Sequence, residues 1–310
     1  HIDNNYTDLT AEEIGVLDAL TAYKQSGNLK SIVLVLNTCG AMQFKTIDEY
    51  DIDAIMWVGT GGTCAYSALA DVLTGKADPN GRLADTYLYD NYSAPSTVNQ
   101  GNFTYTQSTG VPKTDTYEHN TKYVVYQEGI YVGYKYFETR YEDLVMDKGN
   151  AGGTAGIKNS KGDWTYGEEV AYPFGYGSSY ATFERSDFKV VRKGDNFVAQ
   201  ITVKNVSKEE VSGKDIFQLY LQKPYTEYDK QHGVEKSAVE LVGFAKTGVL
   251  APGAKETLTI DVTKESFASY DDSGATGHKS CYVLEEGSRP VRSSGCLLYT
   301  SPSPRDISGS

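Results

Sequence analysis

Two carboxylates of this chain stand beside aromatic residues in patterns that could bind or transform a ligand. Glu128 lies in the segment YQEGIYVGYKYFET, and Asp163 precedes Trp164 in a glycine-rich stretch. Positioned carboxylates can supply an acid, a base or a nucleophile. For Glu128 the structural alternative is to accept hydrogen bonds from the backbone of a glycine-rich turn, and for Asp163 it is a solvated loop carboxylate. We favour the structural alternative in both cases.

Trp57 ends an apolar segment, at a position where open α/β sheets bind ligands. It could stack on a ligand or pack in the core, and we favour core packing. Residues 59–62, GTGG, follow it and are similar to a phosphate-cradling turn. Cys64 stands where the third glycine of that motif would fall, however, and no Walker lysine follows. We interpret the turn as one that lets the next helix pack closely, and expect no nucleotide cofactor.

The histidines and cysteines form no recognisable catalytic or metal-binding motif. No G-x-S-x-G segment accompanies the scattered histidines, and the four cysteines contain no CxxC pair. We expect no metal and interpret the cysteines as buried free thiols, although Cys39 and Cys64 both lie near predicted strand ends and could approach each other. The residues are His1, His119, His232, His278, Cys39, Cys64, Cys281 and Cys296.

Composition limits the classes of partner. The 310 residues are enough for two domains, and the formal net charge of −12 leaves no basic surface for nucleic acid or an anionic membrane. The sequence contains no apolar run long enough to span a bilayer. It begins without Met and carries no signal that identifies a compartment.

The first half alternates between helix and strand patterns. Thr10 and Glu13 form a capping box for a helix over 11–24, and apolar runs predict strands over 31–37 and 54–58 that are covered on both faces. A helix is predicted over 63–73, with Ala65, Leu69, Ala70 and Leu73 facing inward, followed by a strand over 83–87 that ends near Asp85, interpreted as a strand-end charge. This order predicts an open α/β sheet. Residues 89–118 and 148–167 are interpreted as surface loops.

The second half reads as strands only. After the aromatic and glycine-rich segment 172–183, YPFGYGSSYATF, apolar residues alternate with polar ones, as in Ala199, Ile201 and Val203. Further strands are predicted over 215–222, 241–246, 267–271 and 281–285. Six or seven short strands predict a β-sandwich, and segment 172–183 predicts a packed joint between two domains.

Four segments of the sequence resemble glycoside hydrolase family 3, in the order typical of that family. They are VLVLN at 33–37, WVGTGGTCAYSALADVLTGKADPNGRLADT at 57–86, YQEGIYVGYKYFET at 126–139, and the joint with the segment 234–262. Thr60, Ala84 and Cys39 depart from the family pattern. The resemblance implies an α/β sandwich domain over 1–182 that is truncated at its N-terminus, and a fibronectin type III-like domain over 183–288. The SAPS variant at 93–96 resembles the branch whose (β/α)8 barrel comes last.

The resemblance also implies a function. Such a parent protein would be a retaining, β-glucosidase-like hydrolase of terminal β-D-glucosyl residues, in which two carboxylates act on the bond. The family's catalytic pair maps onto no residue of this chain, so we expect the chain alone to be inactive. Trp57 and Glu128 remain as candidates for substrate contact. The alternative function is a non-catalytic carbohydrate-binding or spacer module.

The end of the sequence departs from both patterns. CLLYTSPSPRD at 296–306 matches the in-frame translation of a transposase sequencing adapter and fits no sandwich strand. We therefore interpret 289–310 as a non-native, adapter-derived tail and exclude it from predictions about the fold.

Overall fold

The first half of the chain forms short helices around two small sheets. The computed structural model describes residues 6–98, 126–144, 165–208, 210–232, 234–272, 274–284 and 291–294. The elements before the joint are α1 (Ala11–Gln25), β1 (Val33–Leu36), β2 (Ala54–Trp57), α2 (Ala65–Leu73), β3 (Tyr87–Leu88), α3 (Pro95–Val98), α4 (Tyr134–Leu144), α5 (Tyr166–Glu169) and β4 (Val170–Tyr172), with single 3-10 turns at Ile47–Glu49 and Asn91–Ser93. Within the described part of the chain, no helix is long and apolar enough to cross a membrane.

Local signals in the sequence set the ends of the first helices. Thr10 accepts a hydrogen bond from the Glu13 amide, and the Glu13 carboxylate accepts one from the Thr10 amide, so the predicted capping box is present. Gly27 and Gly75 follow α1 and α2 with φ of +78° and +77°, a conformation that glycine adopts without strain. The predicted strands 31–37 and 54–58 are present as β1 and β2, which pair in parallel.

Two predictions for this half are wrong. The strand predicted over 83–87 is absent, since β3 begins only at Tyr87 and pairs with β4. The backbone of Leu83 is hydrogen-bonded to the joint instead: its N–H donates to the Tyr176 carbonyl, and its carbonyl accepts from the Gly175 amide, both at 2.8 Å. Helix α2 buries none of its side chains, and Val33 of β1 is 46% exposed, so this sheet is not covered on both faces by the residues described. Residues 99–118 and 145–164 lie outside the described residues, but Tyr166 at the end of the second predicted loop is buried in α5.

The second half is a β-sandwich, as predicted. Its elements are β5 (Phe183–Lys193), β6 (Asn196–Asn205), β7 (Ile216–Leu221), α6 (Glu227–His232), β8 (Glu240–Lys246), β9 (Lys255–Val262), β10 (Ser269–Asp271), β11 (Cys281–Val283) and β12 (Val291–Ser294), with a 3-10 turn at Lys264–Phe267. Antiparallel sheets β5-β6-β9 and β12-β7-β8 pack their apolar faces together, and β10 pairs with β11. The alternating residues Ala199, Ile201 and Val203 are all buried between the sheets.

Strand β12 falls within the range that the sequence assigned to a non-native tail. Val291 lies opposite Leu221 of β7, so residues 291–294 form part of the sandwich. The remaining tail positions, 289–290 and 295–310, lie outside the described residues.

The joint at 172–183 packs the two halves against each other, as predicted. A Cβ on Gly175 would collide with the Gln218 side chain of β7, and one on Gly177 would collide with the Gly81 carbonyl. Phe174 lies between the halves, with its ring centroid 4.7 Å from that of Tyr134. The glycines therefore permit a close approach that no other residue type allows.

Helix α4 is also fixed by the sandwich. The Leu241 amide donates to the Tyr134 hydroxyl at 2.8 Å, and the Ala238 amide donates to Thr139 Oγ1 at 2.9 Å. Glu240 accepts from Lys135 of α4 at 2.7 Å and is paired with Lys223 at 2.6 Å. Burial raises the pKa of Glu240, but these two lysines outweigh it and hold that pKa below its ordinary value.

Candidate functional site

A cavity of about 200 Å³ lies between β3, the segment around α3 and the N-terminal end of α4. We call it the Glu128 pocket. The side chains that give it polar or aromatic character are Asp85, Thr86, Asn91, Ser96, Thr97, Glu128, Tyr131, Tyr136 and Phe137. It therefore brings one of the two predicted contact residues, Glu128, together with residues from a distant part of the sequence.

The glycines of the segment 126–139 shape the entrance to α4. The Tyr131 amide donates to the Glu128 carbonyl at 2.8 Å, closing a turn around Gly129, whose φ is +54°. Gly133 has φ of +59° and precedes the helix directly. A side chain at either glycine would be strained, since L-residues rarely adopt positive φ. The turn expected near Glu128 is present, but a backbone carbonyl closes it rather than the Glu128 carboxylate.

Three polar atoms on residues that line the pocket lack a hydrogen-bond partner among the described residues. They are Glu128 Oε2, Tyr131 OH and Thr86 Oγ1, and all three are buried. The charged groups that act on the Tyr131 hydroxyl, Glu235 and Asp143, do not line the cavity, so we do not assign this hydroxyl to it. A buried polar atom without a partner costs free energy, so such atoms generally indicate a water or a ligand. Burial raises the pKa of Tyr131 far above its ordinary value, which keeps its hydroxyl protonated and able to donate.

Asp85 supplies a second carboxylate to the same cavity. The Thr86 amide donates to Asp85 Oδ1 at 2.8 Å. Burial of the carboxyl by the surrounding atoms raises its pKa more than this hydrogen bond lowers it, even though part of the residue is solvent-accessible. Asp85 is thus a wall of the pocket and does not end a strand, which corrects the interpretation made from the sequence.

Trp57 lies elsewhere, at the carboxyl end of β2. Its indole N–H donates to the Thr38 carbonyl at 3.0 Å, and its ring lies against Gly59, where an added Cβ would be 3.1 Å from Cζ2. The side chain is 40% exposed, so it is held in place without being buried. Trp57 does not line the Glu128 pocket.

Neither the cysteines nor the glycine-rich turn after Trp57 forms a catalytic or ligand-binding arrangement among the described residues. Cys39 Sγ lies 3.2 Å from Thr60 Oγ1, and the described cysteines Cys39, Cys64 and Cys281 are free but exposed, which corrects the prediction of burial. An added Cβ on Gly61 would collide with Ala65, as a tight turn into α2 requires. Asp163 and Trp164 lie outside the described residues. Among those described, no group of three or more His, Cys, Asp or Glu side chains could hold a metal ion.

Behind the pocket, α4 carries a cluster of buried charged side chains. Tyr166 OH donates to Glu138 Oε1 at 2.7 Å, and Arg140 lies 3.4 Å from Glu169. Burial raises the pKa of Glu138 to about 8, with the nearby Glu142 carboxylate adding to the effect and the Tyr166 hydrogen bond opposing it. These contacts fix the orientation of the helix that presents Tyr136 and Phe137 to the pocket.

A second, more open cavity of about 620 Å³ lies in the sandwich. Its lining includes Phe197, Phe267 and Leu284, together with Arg192 and Lys264. No carboxylate is among the described residues that line it, and none of its polar side-chain atoms is among those left buried and unpaired.

Comparison with known protein families accounts for both halves of the fold. The model of the glycosyl hydrolase family 3 C-terminal domain matches residues 2–134, and that of the fibronectin type III-like domain matches residues 215–292. Residues 2–134 belong to glycoside hydrolase family 3, as its C-terminal domain. The resemblance seen in the sequence and the predicted α/β plus all-β fold are therefore confirmed.

Relatives of this family 3 chain are much longer than the chain itself. A beta-glucosidase from Ruminococcus albus is 34% identical over 291 residues, which cover 92% of this chain and 25% of that protein. Beta-glucosidase A from Butyrivibrio fibrisolvens is 32% identical over 304 residues, covering 90% and 30%. The crystal structure of a beta-glucosidase from Paenibacillus barengoltzii superimposes with a TM-score of 0.70 and 30% identity, covering 94% of this chain and 26% of that one. The chain spans a quarter to a third of the length of the curated relatives named here.

Sequence reasoning missed three of the residues that line the pocket of this family 3 chain. Thr86, Asp85 and Tyr131 were not proposed as contact residues, although Tyr131 lies in the same motif as Glu128. The sequence offered one signal. The second family-like segment ends at Thr86, and the third begins close to Glu128. Their meeting at one cavity depends on the tertiary fold.

Proposed function

We propose that this chain is the non-barrel part of a retaining, β-glucosidase-type glycoside hydrolase that acts on terminal β-D-glucosyl residues. The observation that carries the proposal is the order of the two domains, α/β layers followed by a fibronectin type III-like sandwich, in a chain of which more than 90% aligns with a protein named beta-glucosidase. We place the division between the domains at 182/183, where β5 begins.

Uncovered apolar surface supports a larger parent protein. Tyr66 on α2 is 69% exposed, α2 buries none of its side chains, and Val33 on β1 is also exposed. Amphipathic helices and parallel strands of soluble proteins are normally covered on their apolar faces. In the proposal, further parts of the parent polypeptide contact this side of the chain.

The bond-breaking carboxylates are proposed to come from outside the described residues. Retaining glycosidases hold two carboxylates about 5–5.5 Å apart, with room for a sugar on each side of the bond. The Glu128 pocket has two carboxylates, but its volume of about 200 Å³ suits one sugar ring only. We therefore assign no catalytic role to Asp85 or Glu128.

Trp57 is proposed to contact substrate in the parent protein. Its ring is fixed by the hydrogen bond to Thr38 and by Gly59, and it remains exposed at the carboxyl end of the parallel strand pair. An aromatic ring held in this way can stack on a sugar at a low cost in conformational entropy.

The experiment is to express the polypeptide encoded by the uninterrupted reading frame around this sequence. We expect hydrolysis of p-nitrophenyl β-D-glucopyranoside, with β-glucose as the first product by NMR, and a raised KM in Trp57→Ala. Tyr282→Ala, an exposed aromatic on β11, is the control. A longer polypeptide that binds glucosides without hydrolysing them would support the alternative, a non-catalytic module.

A further inference from the structure

The Glu128 pocket has the properties of a binding site in its own right. Thr86 is 5% exposed, lines the cavity, and its hydroxyl has no partner among the described residues. Glu128 Oε2, on another residue that lines the cavity, is buried and without a described partner in the same way. Two unpaired polar atoms on residues that line one cavity indicate a ligand that hydrogen-bonds both of them.

The charges of the lining exclude an anion. Its ionisable side chains include two carboxyls, Asp85 and Glu128, and no Lys, Arg or His is among the lining residues that the structure describes. A phosphate or a carboxylate ligand would face repulsion with no compensating cation.

The unpaired groups favour hydroxyls over a bare cation. A carboxylate oxygen only accepts hydrogen bonds, whereas the Thr86 hydroxyl both donates and accepts. A cation would satisfy Glu128 but could accept no hydrogen bond from the Thr86 hydroxyl. A polyol offers a donor to the carboxylate and both a donor and an acceptor to the hydroxyl.

The walls and the volume limit the ligand to one ring. Tyr136 and Phe137 are buried aromatics that line the cavity and can contact the C–H face of a sugar. A volume of about 200 Å³ equals that of about seven water molecules at ~30 Å³ each. This accommodates a monosaccharide but no disaccharide.

We infer that the Glu128 pocket binds a single monosaccharide, with its hydroxyls on Glu128 and Thr86. Binding at this pocket is a property of the isolated chain and does not depend on the proposed β-glucosidase activity of a parent protein. It requires no bond to be broken.

The test is saturation-transfer NMR and calorimetry on the purified chain with D-glucose, D-xylose and L-arabinose. We expect at least one of these sugars to bind, with affinity lowered about tenfold in Glu128→Gln, because a charged acceptor is replaced by a neutral amide. Thr86→Val, which removes only the unpaired hydroxyl, should lower the affinity by about threefold. Glu168→Gln, an exposed glutamate on α5 outside the pocket, and Thr63→Val are the matched controls and should bind normally.

Two outcomes would overturn the inference. These are no binding of any of the three sugars, whether or not CaCl2 binds at the pocket, and sugar binding that both pocket variants leave unchanged. Thermal melting of each variant establishes that it is folded. The activity of a longer polypeptide is measured separately, so failure here leaves the proposed function intact.

Discussion

Arg82 and Asp215 connect the two halves of the chain, with Arg82 Nη2 lying 3.2 Å from Asp215 Oδ1 across the joint. Arg185, just inside the sandwich, donates from Nε and Nη2 to both oxygens of the same aspartate at 2.8 Å. Arg82 also donates to the Gly177 carbonyl of the joint. One carboxylate, only 1% exposed, therefore joins a loop of the α/β half, the start of the sandwich and strand β7.

Removing this carboxylate is expected to destabilise the whole chain. Asp215→Asn leaves two guanidinium groups without their counter-ion, and breaking a buried ion pair on one side costs about 3–5 kcal/mol. We expect the lower end, about 3 kcal/mol, because Arg185 remains partly exposed to water. Urea unfolding followed by circular dichroism measures the change. Asp195→Asn, whose contacts with Arg192 and Lys264 are exposed, is the control and should have little effect. Equal stability of both variants would contradict a linking role for Asp215.

Glu138 is expected to make the stability fall as pH rises. Its pKa is about 8 in the folded chain and near 4.5 when unfolded, so between these values the folded state keeps a proton that the unfolded state has released. The stabilisation that the protonated Glu138 carboxyl gives to the folded state is fully present below pH 4.5 and is lost as pH rises towards 8. Glu138→Gln has no proton to release, so its free energy of unfolding should fall less steeply over this range, by about 1.4 kcal/mol per pH unit.

The measurement is the urea unfolding free energy of both proteins from pH 5 to 9. The exposed glutamate variant Glu168→Gln serves as the control and should retain the slope of the unsubstituted chain. Parallel pH profiles for the Glu138→Gln variant and the unsubstituted chain would show that Glu138 is ionised when folded.

Two glycines with the same backbone angle separate conformational strain from packing at the joint. Gly175 and Gly253 both have φ of +81°, but an added Cβ would collide with Gln218 at Gly175 and meets nothing within 4 Å at Gly253. We expect Gly253→Ala to cost about 1–2 kcal/mol from the backbone alone. Gly175→Ala should cost clearly more, because the joint must also move away from β7. Equal losses of the free energy of unfolding in urea would show that the joint accommodates the added methyl group at no cost, and would contradict this prediction.

The hydroxyl of Tyr134 is expected to hold α4 on the sandwich. Tyr134→Phe keeps the ring contacts with Phe174 and Tyr220 but leaves the Leu241 amide without its acceptor. The expected loss is about 1–3 kcal/mol, the cost of an unsatisfied buried donor. Hydrogen exchange should show faster exchange of the Leu241 amide, and an unchanged exchange rate would contradict this role. Tyr228→Phe, whose hydroxyl bonds the Ala275 carbonyl away from α4, is the control.

The sandwich was predictable because its signal is local. Alternation at Ala199, Ile201 and Val203 and at Leu258, Ile260 and Val262 assigns each side chain to a face without any knowledge of partners. The α/β half was predicted less well. Leu83 bonds Gly175 and Tyr176, more than 90 positions away, and this long-range pairing replaces the predicted strand. The pattern of α2 shows which face is apolar but not whether anything covers it.

The site was predictable only in part, for the same reason. The motif around Glu128 indicated a turn beside aromatic residues, and the turn is present. Thr86 and Asp85 reach the same cavity only because β3 pairs with β4 and α4 packs against both, which no local pattern reveals. The exposure of Cys39 and Cys64 could not be predicted from the sequence either, because both lie at the uncovered carboxyl end of the parallel strand pair.

The most direct test of the account is whether the purified 310-residue chain hydrolyses p-nitrophenyl β-D-glucopyranoside. We predict no release of p-nitrophenol above the buffer blank, although the same preparation binds a monosaccharide. Hydrolysis by the chain that is lost in Glu128→Gln or Asp85→Asn would contradict the account, because it would place the catalytic carboxylates in the Glu128 pocket.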